Sequence, residues 1–365
     1  MLNRRRGKVR AVQKTTPHIQ ELVVEIDGEG IPAINYRLLC VDVFPGDLVE
    51  LNTTAVDLGL GTGGVHFVIT RIEDYERAEA LLTKEVDCRT EGHIMKLRYT
   101  PLQLSTLCVE EENSPYHPIL NTVDSLEGMP VMVASLHSLI APIAVVFHHH
   151  TRHQTRLAYI MTDGAALPLG FSRLVALLKA QGLIAVTITV GHAFGGDLEA
   201  VNIYSGLLAA RHVAKVDACI VAMGPGVVGT GTPFGTTALE TAAILDSVNA
   251  LGGRAVAVPR VSFADQRPRH HGLSHHTQTV LGRLCHTSCS VPFPKLLGDE
   301  GIRLRQQVQL ANLARHDISW IDQDNTLDLL EESSIPVKSM GRGPKDDPAF
   351  FRTGGAGGWL AAQLV

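Results

Sequence analysis

Between residues 130 and 276 the chain repeats one plan, and that plan leaves few folds open. A continuous apolar run is followed by a small polar turn, and then by an amphipathic stretch. The runs are 131–136, 157–161, 184–190, 218–223 and 255–261. Uninterrupted apolar runs of this length suit strands buried on both faces, as in a parallel sheet covered by helices. Helical patterning fills 171–181, 198–215 and 236–251, and Gly182 and Gly252-Gly253 stop two of these stretches as C-terminal caps. Strands alternating with helices make βαβ units, whose right-handed crossovers give a doubly wound, mostly parallel α/β sheet. A further helix is predicted over 302–315. Edge strands are predicted at 318–321 and 335–339 around a helix at 327–332, and the glycine-rich tail from Gly341 reads as a loop.

The front of the chain follows another rhythm. Short β-rich runs at 9–12, 19–26, 36–43, 48–51, 66–69 and 94–99 are separated by turn residues such as Asp27-Gly28-Glu29-Gly30 and Pro45-Gly46-Asp47. That spacing predicts a small all-β, barrel-like domain over 1–105. The glycine-rich run 59–64 opens no helix, so it reads as a hairpin or edge crossing rather than a phosphate loop. Glu110-Glu111-Glu112-Asn113-Ser114-Pro115 marks a linker over 106–129, and 130–365 forms the α/β domain that carries the site.

With 45% hydrophobic and 19% charged residues in 365, the chain can bury a sizeable core. A net charge of −5 argues against a nucleic-acid partner, and the cations at Arg4, Arg5, Arg6, Lys8 and Arg10 read as a solvated strand start. None of the cysteines (40, 88, 108, 219, 285 and 289) forms a C-x-x-C pair, which fits core thiols in a reducing, cytoplasmic setting. The uncharged stretch 128–147 approaches membrane-spanning length, but it contains Ser135, His137, Ser138 and Pro142 and reads as a buried strand and helix, so no membrane partner is expected.

In an open parallel sheet the turns gather at the carboxyl ends of the strands, where ligands bind. The turn from Gly224 to Thr237 holds Gly224, Gly226, Gly229, Gly231 and Gly235. Its backbone can approach an anion closely, and Thr230, Thr232, Thr236 and Thr237 add hydroxyls. It is no Walker loop, because no Gly-Lys-Ser/Thr follows, and tight packing explains its glycines equally well. In the Gly191–Glu199 turn, His192 is a general acid/base or a metal ligand, and Asp197 is a helix N-cap or a catalytic carboxylate. The run from Ser262 to His276 gathers Asp265, Arg267, Arg269 and four histidines. Asp265, His270 and His275 could share a divalent transition metal, Arg267 and Arg269 could clamp an anion, or the loop is simply exposed. Asp163 is a base, a ligand to a sugar hydroxyl or an N-cap. Ser138 after His137 offers a similar polar, ligand-binding turn, or His137 is simply a satisfied core histidine. The histidines at 148–150 read as a solvated helix end.

These same segments carry a resemblance. Thr162-Asp-Gly-Ala-Ala-Leu-Pro, Gly191-His-Ala-Phe-Gly-Gly-Asp, Met223-Gly-Pro-Gly-Val-Val-Gly-Thr-Gly-Thr, the run from Arg267 to Thr277 and Ser339-Met-Gly-Arg resemble an uncharacterised bacterial family, domain of unknown function 3866, over nearly the whole chain. The resemblance brings no activity and no catalytic residues. A fainter likeness runs to the alpha/beta subunit of the glycine, sarcosine and betaine reductase component. It implies a precursor cleaved at an internal cysteine to leave a pyruvoyl group, here at Cys108.

The expectation is an enzyme, a hydrolase or group transferase, acting on a small anionic metabolite of phosphorylated or nucleotide-like character. Asp163, His192, Asp197 and His275 are the expected catalytic groups, and a homo-oligomer is the expected assembly. The alternatives are a non-catalytic ligand-binding sensor and a subunit of a larger reductase-like assembly.

Overall fold

A computed structural model describes residues 3–59, 64–72, 92–100, 102–322 and 325–365. Cys88 and the centre of the glycine-rich run at 59–64 lie outside the described residues. The chain divides into two compact units, Met1–Thr106 and Leu107–Val365.

The first unit is a closed barrel of β1 (Arg4–Thr15), β2 (Ile19–Ile26), β3 (Glu29–Tyr36), β4 (Leu48–Asn52) and β5 (His66–Ile72), in the order β1-β2-β3-β5-β4. A two-residue turn at Asp27-Gly28 joins β2 to β3. Both residues have positive φ, 49° and 85°, as a type I′ hairpin demands. The third strand differs from expectation: it is Glu29–Tyr36 rather than 36–43, because the turn closes two residues sooner and the strand absorbs Gly30 and Pro32. The strand β1 pairs with β4 through its first half and with β2 through its second, and two register shifts let it bend around the barrel. Val9, Leu22, Val24, Val49 and Leu51 fill the interior.

The second unit is built on an eight-stranded sheet whose paired strands are all parallel. Its strands are β8 (Pro130–Ala134), β9 (Leu157–Thr162), β10 (Val186–Val190), β11 (Leu198–Ala200), β12 (Ala218–Met223), β13 (Arg254–Val258), β16 (Ser290–Pro294) and β17 (Asp317–Ile321). They lie in the order β11-β10-β9-β12-β8-β13-β16-β17. The intervening numbers belong to the short pairs β6 (Ile94–Lys96) with β7 (Leu104–Thr106), and β14 (Val261–Ser262) with β15 (Gly272–Leu273). Along β12, Cys219 and Val221 face one core while Ala218, Ile220 and Ala222 face the other. Helices Ile140–His150, Arg173–Ala180, Thr326–Glu332 and Pro348–Ala362 cover the second face. Ile203–Leu208, Glu240–Ala250, His275–Thr279 and Gly298–Leu310 cover the first. The uncharged stretch 128–147 is thus β8 and part of a buried helix, and no helix among the described residues is long and apolar enough to cross a membrane.

Several segments of this unit differ from the sequence expectation. Residues 107–129 are packed into the second unit, with Cys108, Val109 and Leu126 buried and Leu126 N donating to Leu251 O. The strand β16 was hidden by Pro292 and Pro294. Cys289 O accepts from Asp317 N and Lys295 N donates to Ile321 O, so odd-numbered residues bond β17. The prolines' missing donors fall on the β13 side, where only Val256 and Ser290 are in register. The glycine-rich tail is a helix, Pro348–Ala362, in which Gly354, Gly355, Gly357 and Gly358 are buried. A Cβ on Gly358 would strike the Ile143 carbonyl, and one on Gly354 would come within 2.5 Å of Pro142 Cγ. The missing side chains let this helix lie directly on the helix Ile140–His150. The predicted edge strand at 335–339 is irregular chain, with a single bridge between Ser339 and Arg342.

Candidate functional site

The turns after β8, β9, β10, β12 and β13 stand at the carboxyl rim of the sheet, and backbone hydrogen bonds stitch several of them together. Ala166 N donates to Pro225 O at 3.0 Å, joining the turns after β9 and β12. Phe194 N donates to Leu167 O at 3.0 Å, joining those after β10 and β9. The strands that carry Thr162 and Met223 are hydrogen-bonded neighbours, so these turns could not lie far apart.

Asp163 and Glu240 form the first cluster. Asp163 Oδ2 accepts from the His192 backbone N–H at 2.9 Å, and Thr162 Oγ1 donates to Glu240 Oε1 at 2.5 Å. Gly164 and Gly191 make room for these carboxylates: a Cβ on Gly164 would come within 2.7 Å of Glu240 Oε2, and one on Gly191 would meet Asp163. Burial pushes the Glu240 carboxyl up to about 7; the Thr162 hydrogen bond opposes the rise and the neighbouring Asp163 adds to it. Glu240 opens its helix directly after the glycine-rich turn, where an acidic residue reads as a complement to the helix dipole. Only the fold shows that its carboxylate turns back onto the β9 turn.

Beneath this cluster His137 is tied on both ring nitrogens. Nε2 lies 2.7 Å from Ser172 Oγ, and Nδ1 lies 3.2 Å from the Tyr159 hydroxyl and 3.3 Å from Met223 O. Burial pushes its imidazole down to about 4, so it is neutral at physiological pH. Ser172 also caps the helix Arg173–Ala180, and Ser138 lies in the short turn His137–Leu139.

The histidine-rich segment forms the second cluster. Ser274 caps the helix that starts at His275 and holds His270 Nδ1 at 2.8 Å. One donor atom from each of His270, His275 and His276 lies within 4.8 Å of the others. The Nε2 atoms of His275 and His276 are buried without a hydrogen-bond partner among the described residues, and the serine contact at His270 Nδ1 leaves its Nε2 as the remaining donor. His276 also borders a cavity of about 20 Å³ between the ends of β8 and β13, with Ser135 and Thr241. That volume holds a water molecule rather than a substrate.

Asp265 stands apart from these imidazoles. It is buried, and Arg267 grips it through Nε at 2.9 Å and Nη2 at 2.7 Å while Arg260 Nη2 donates at 2.9 Å. The Arg267 hydrogen bonds hold its carboxyl far below the ordinary carboxylate range, against the cost of burial. Arg342 approaches the same carboxylate at 3.7 Å and bonds Asp347 at 3.2 Å, and Ser262 Oγ donates to Asp347 Oδ2 at 2.6 Å. Asp265 is thus the buried centre of an ion-pair network in which Arg260 is buried and Arg267 partly exposed, and His276 stands in the place expected of Asp265. Three arginines against two aspartates leave one cation in excess beside the histidines.

The loop from Gly224 to Thr237 reaches this second cluster. A Cβ on Gly229 would lie 3.5 Å from the His276 ring, and one on Gly231 would lie 3.6 Å from the Arg269 guanidinium. Phe234 stacks under Arg283, 4.9 Å from its centroid. The threonine hydroxyls hold the loop itself: Thr236 Oγ1 donates to Val228 O, Thr230 Oγ1 donates to Gly235 O, and Thr232 Oγ1 accepts from Gly235 N. Backbone and arginine, rather than these hydroxyls, are what the loop presents with Gly226 at its start.

Asp197 is not brought to the rim. The residues after it form β11 rather than a helix, and its carboxylate bonds Lys179, Thr187 N and Thr187 Oγ1 at the opposite, amino end of β10. Cys108 is buried, and its backbone N–H donates to Glu111 Oε1 at 2.6 Å.

A family model described as "Protein of unknown function (DUF3866)" matches residues 32–358, and no curated protein matches the chain. The likeness to a reductase subunit is not among what these comparisons show.

Proposed function

We propose that this chain, which belongs to the DUF3866 family, is an enzyme that binds a small anionic metabolite, phosphorylated or nucleotide-like, and catalyses its hydrolysis or group transfer with a divalent transition metal. The observation that carries this proposal is the histidine cluster. Three imidazoles offer converging donors, two of them buried Nε2 atoms without partners, beside Arg269 and the glycine-rich loop. Neutral imidazoles with a desolvation cost left unmet suit zinc, manganese or iron. A metal there supplies Lewis-acid activation of a bound water or of the substrate oxygen. Arg269 and the backbone around Gly226–Gly231 receive the anionic group. Glu240, still partly protonated near neutral pH, supplies a general acid, and Asp163 supplies the base. Arg267 sets the position of Asp265 rather than touching the substrate. His192 acts through its backbone N–H, which orients Asp163.

The test is a panel of nucleotides and sugar phosphates offered to protein purified without chelator. Metal-dependent turnover is expected, with His276→Ala losing both metal and about 100-fold or more in rate. Saturable binding with no product from the metal-loaded protein would overturn the enzyme proposal in favour of a sensor.

A further inference from the structure

At the amino end of the sheet, away from the rim described above, a second group of ligating side chains meets. Cys285 follows the helical segment that ends at Leu284, Cys289 leads into β16, and His316 leads into β17. All three residues are buried, and one donor atom from each lies within 4.8 Å of the others. We propose that Cys285, Cys289 and His316 hold a structural zinc-class metal ion, independent of the catalytic proposal.

The tautomer of His316 supports this assignment. Its Nε2 lies 2.8 Å from Leu281 O, a carbonyl that can only accept, so Nε2 carries the proton and Nδ1 keeps a lone pair. That lone pair faces Cys289 Sγ at 3.3 Å and accepts a long hydrogen bond from the Cys289 backbone N–H at 3.4 Å, which a bound ion would replace. A ring N–H donated to a backbone carbonyl is the usual outer support of a metal-bound histidine. Two sulfurs and one imidazole nitrogen form a soft donor set that selects zinc over magnesium or calcium. Zinc–sulfur bonds of about 2.3 Å in a tetrahedral site put the sulfurs about 3.8 Å apart, which falls within the 4.8 Å that bounds the spacing of these donors. Two oxygens stand ready as a fourth donor: the Thr287 carbonyl, 3.4 Å from Cys285 Sγ, and Asp246 Oδ1, which lies 3.5 Å from it and also accepts from Thr287 N and Oγ1. Binding displaces two thiol protons to solvent, leaving two thiolates against the dication. The ion would tie together the start of two adjacent strands and the helix Glu240–Ala250, where proline-bearing β16 has little backbone pairing to β13.

Cobalt(II) distinguishes the sites, since only a thiolate site gives an intense near-ultraviolet sulfur-to-cobalt charge-transfer band. Full-length protein stripped with chelator and titrated with cobalt(II) alone is expected to show that band at one equivalent and to lose it when zinc(II) is added. The band is expected to survive in His270→Ala/His276→Ala and to vanish in Cys285→Ser/Cys289→Ser. Should that pair fail to fold, His316→Gln serves in its place, expected to weaken cobalt binding at least tenfold. Absence of the band in the wild-type protein, or its persistence in the cysteine variant, would overturn the proposal, even if the histidine site binds metal as proposed.

Discussion

Glu240 is the residue whose charge state the fold changes most usefully. Its carboxyl is pushed up to about 7 by burial, so the folded protein holds a proton that the unfolded chain releases at lower pH. The stability this proton gives is full below about pH 4 and is lost as pH rises through about 7. Glu240→Gln keeps an acceptor for Thr162 and cannot ionise. It is expected to flatten the fall in stability between pH 5 and 8, and to exceed the wild type at pH 8 by about 1–2 kcal/mol. Urea unfolding at the two pH values reads this directly, and parallel slopes for both proteins would refute it. The same residue shows where the chain was opaque. The small, polar turns announced a site, and Asp163 stood in one of them. Glu240 was indistinguishable from any acidic residue in a first helical turn, because its partner Thr162 lies 78 positions away.

At the scale of elements, the final helix sets propensity against packing. Four glycines in fifteen residues weaken an isolated helix by up to about 1 kcal/mol each relative to alanine. Here they permit a direct approach to the helix Ile140–His150. Gly358→Ala is therefore expected to destabilise the protein by about 1–3 kcal/mol, since its methyl would meet the backbone of Ile143 and Phe147 rather than a side chain that can move. Chemical denaturation measures this, and a gain in stability would mean that the two helices can separate freely. The buried strands announced themselves by composition: the run at 218–223 is β12 to the residue. Those that broke the pattern, proline-bearing β16 and the three-residue β11, needed their neighbours to be recognised.

At the scale of the molecule, each unit has its own core. Val9, Val24 and Val68 belong to the barrel, and the two cores flanking the sheet draw only on residues from Val109 onward. A fragment spanning 107–365 is thus expected to fold cooperatively, with melting and near-ultraviolet circular dichroism like those of that unit in the full chain. A fragment that stays unfolded or molten would show that the second unit depends on the first. Residues 107–129 belong in the fragment, because they are packed against β11 and the turn at Leu251–Gly252 rather than spanning a gap.

The local pattern of apolar runs, glycines and caps was enough to determine an all-β front, a parallel sheet behind it and the rim at which polar turns collect, because burial on two faces and backbone conformation are written in short windows of residues. Which distant side chains meet at that rim was decided by strand order. That order brings Glu240 onto Thr162 and Asp163, sets Gly229 beside His276 and carries Arg342 to Asp265, while the path of one short segment turns His270, His275 and His276 together and folds Arg260 and Arg267 onto Asp265. Contacts between residues tens of positions apart depend on how the sheet is assembled, and no local window carries that information.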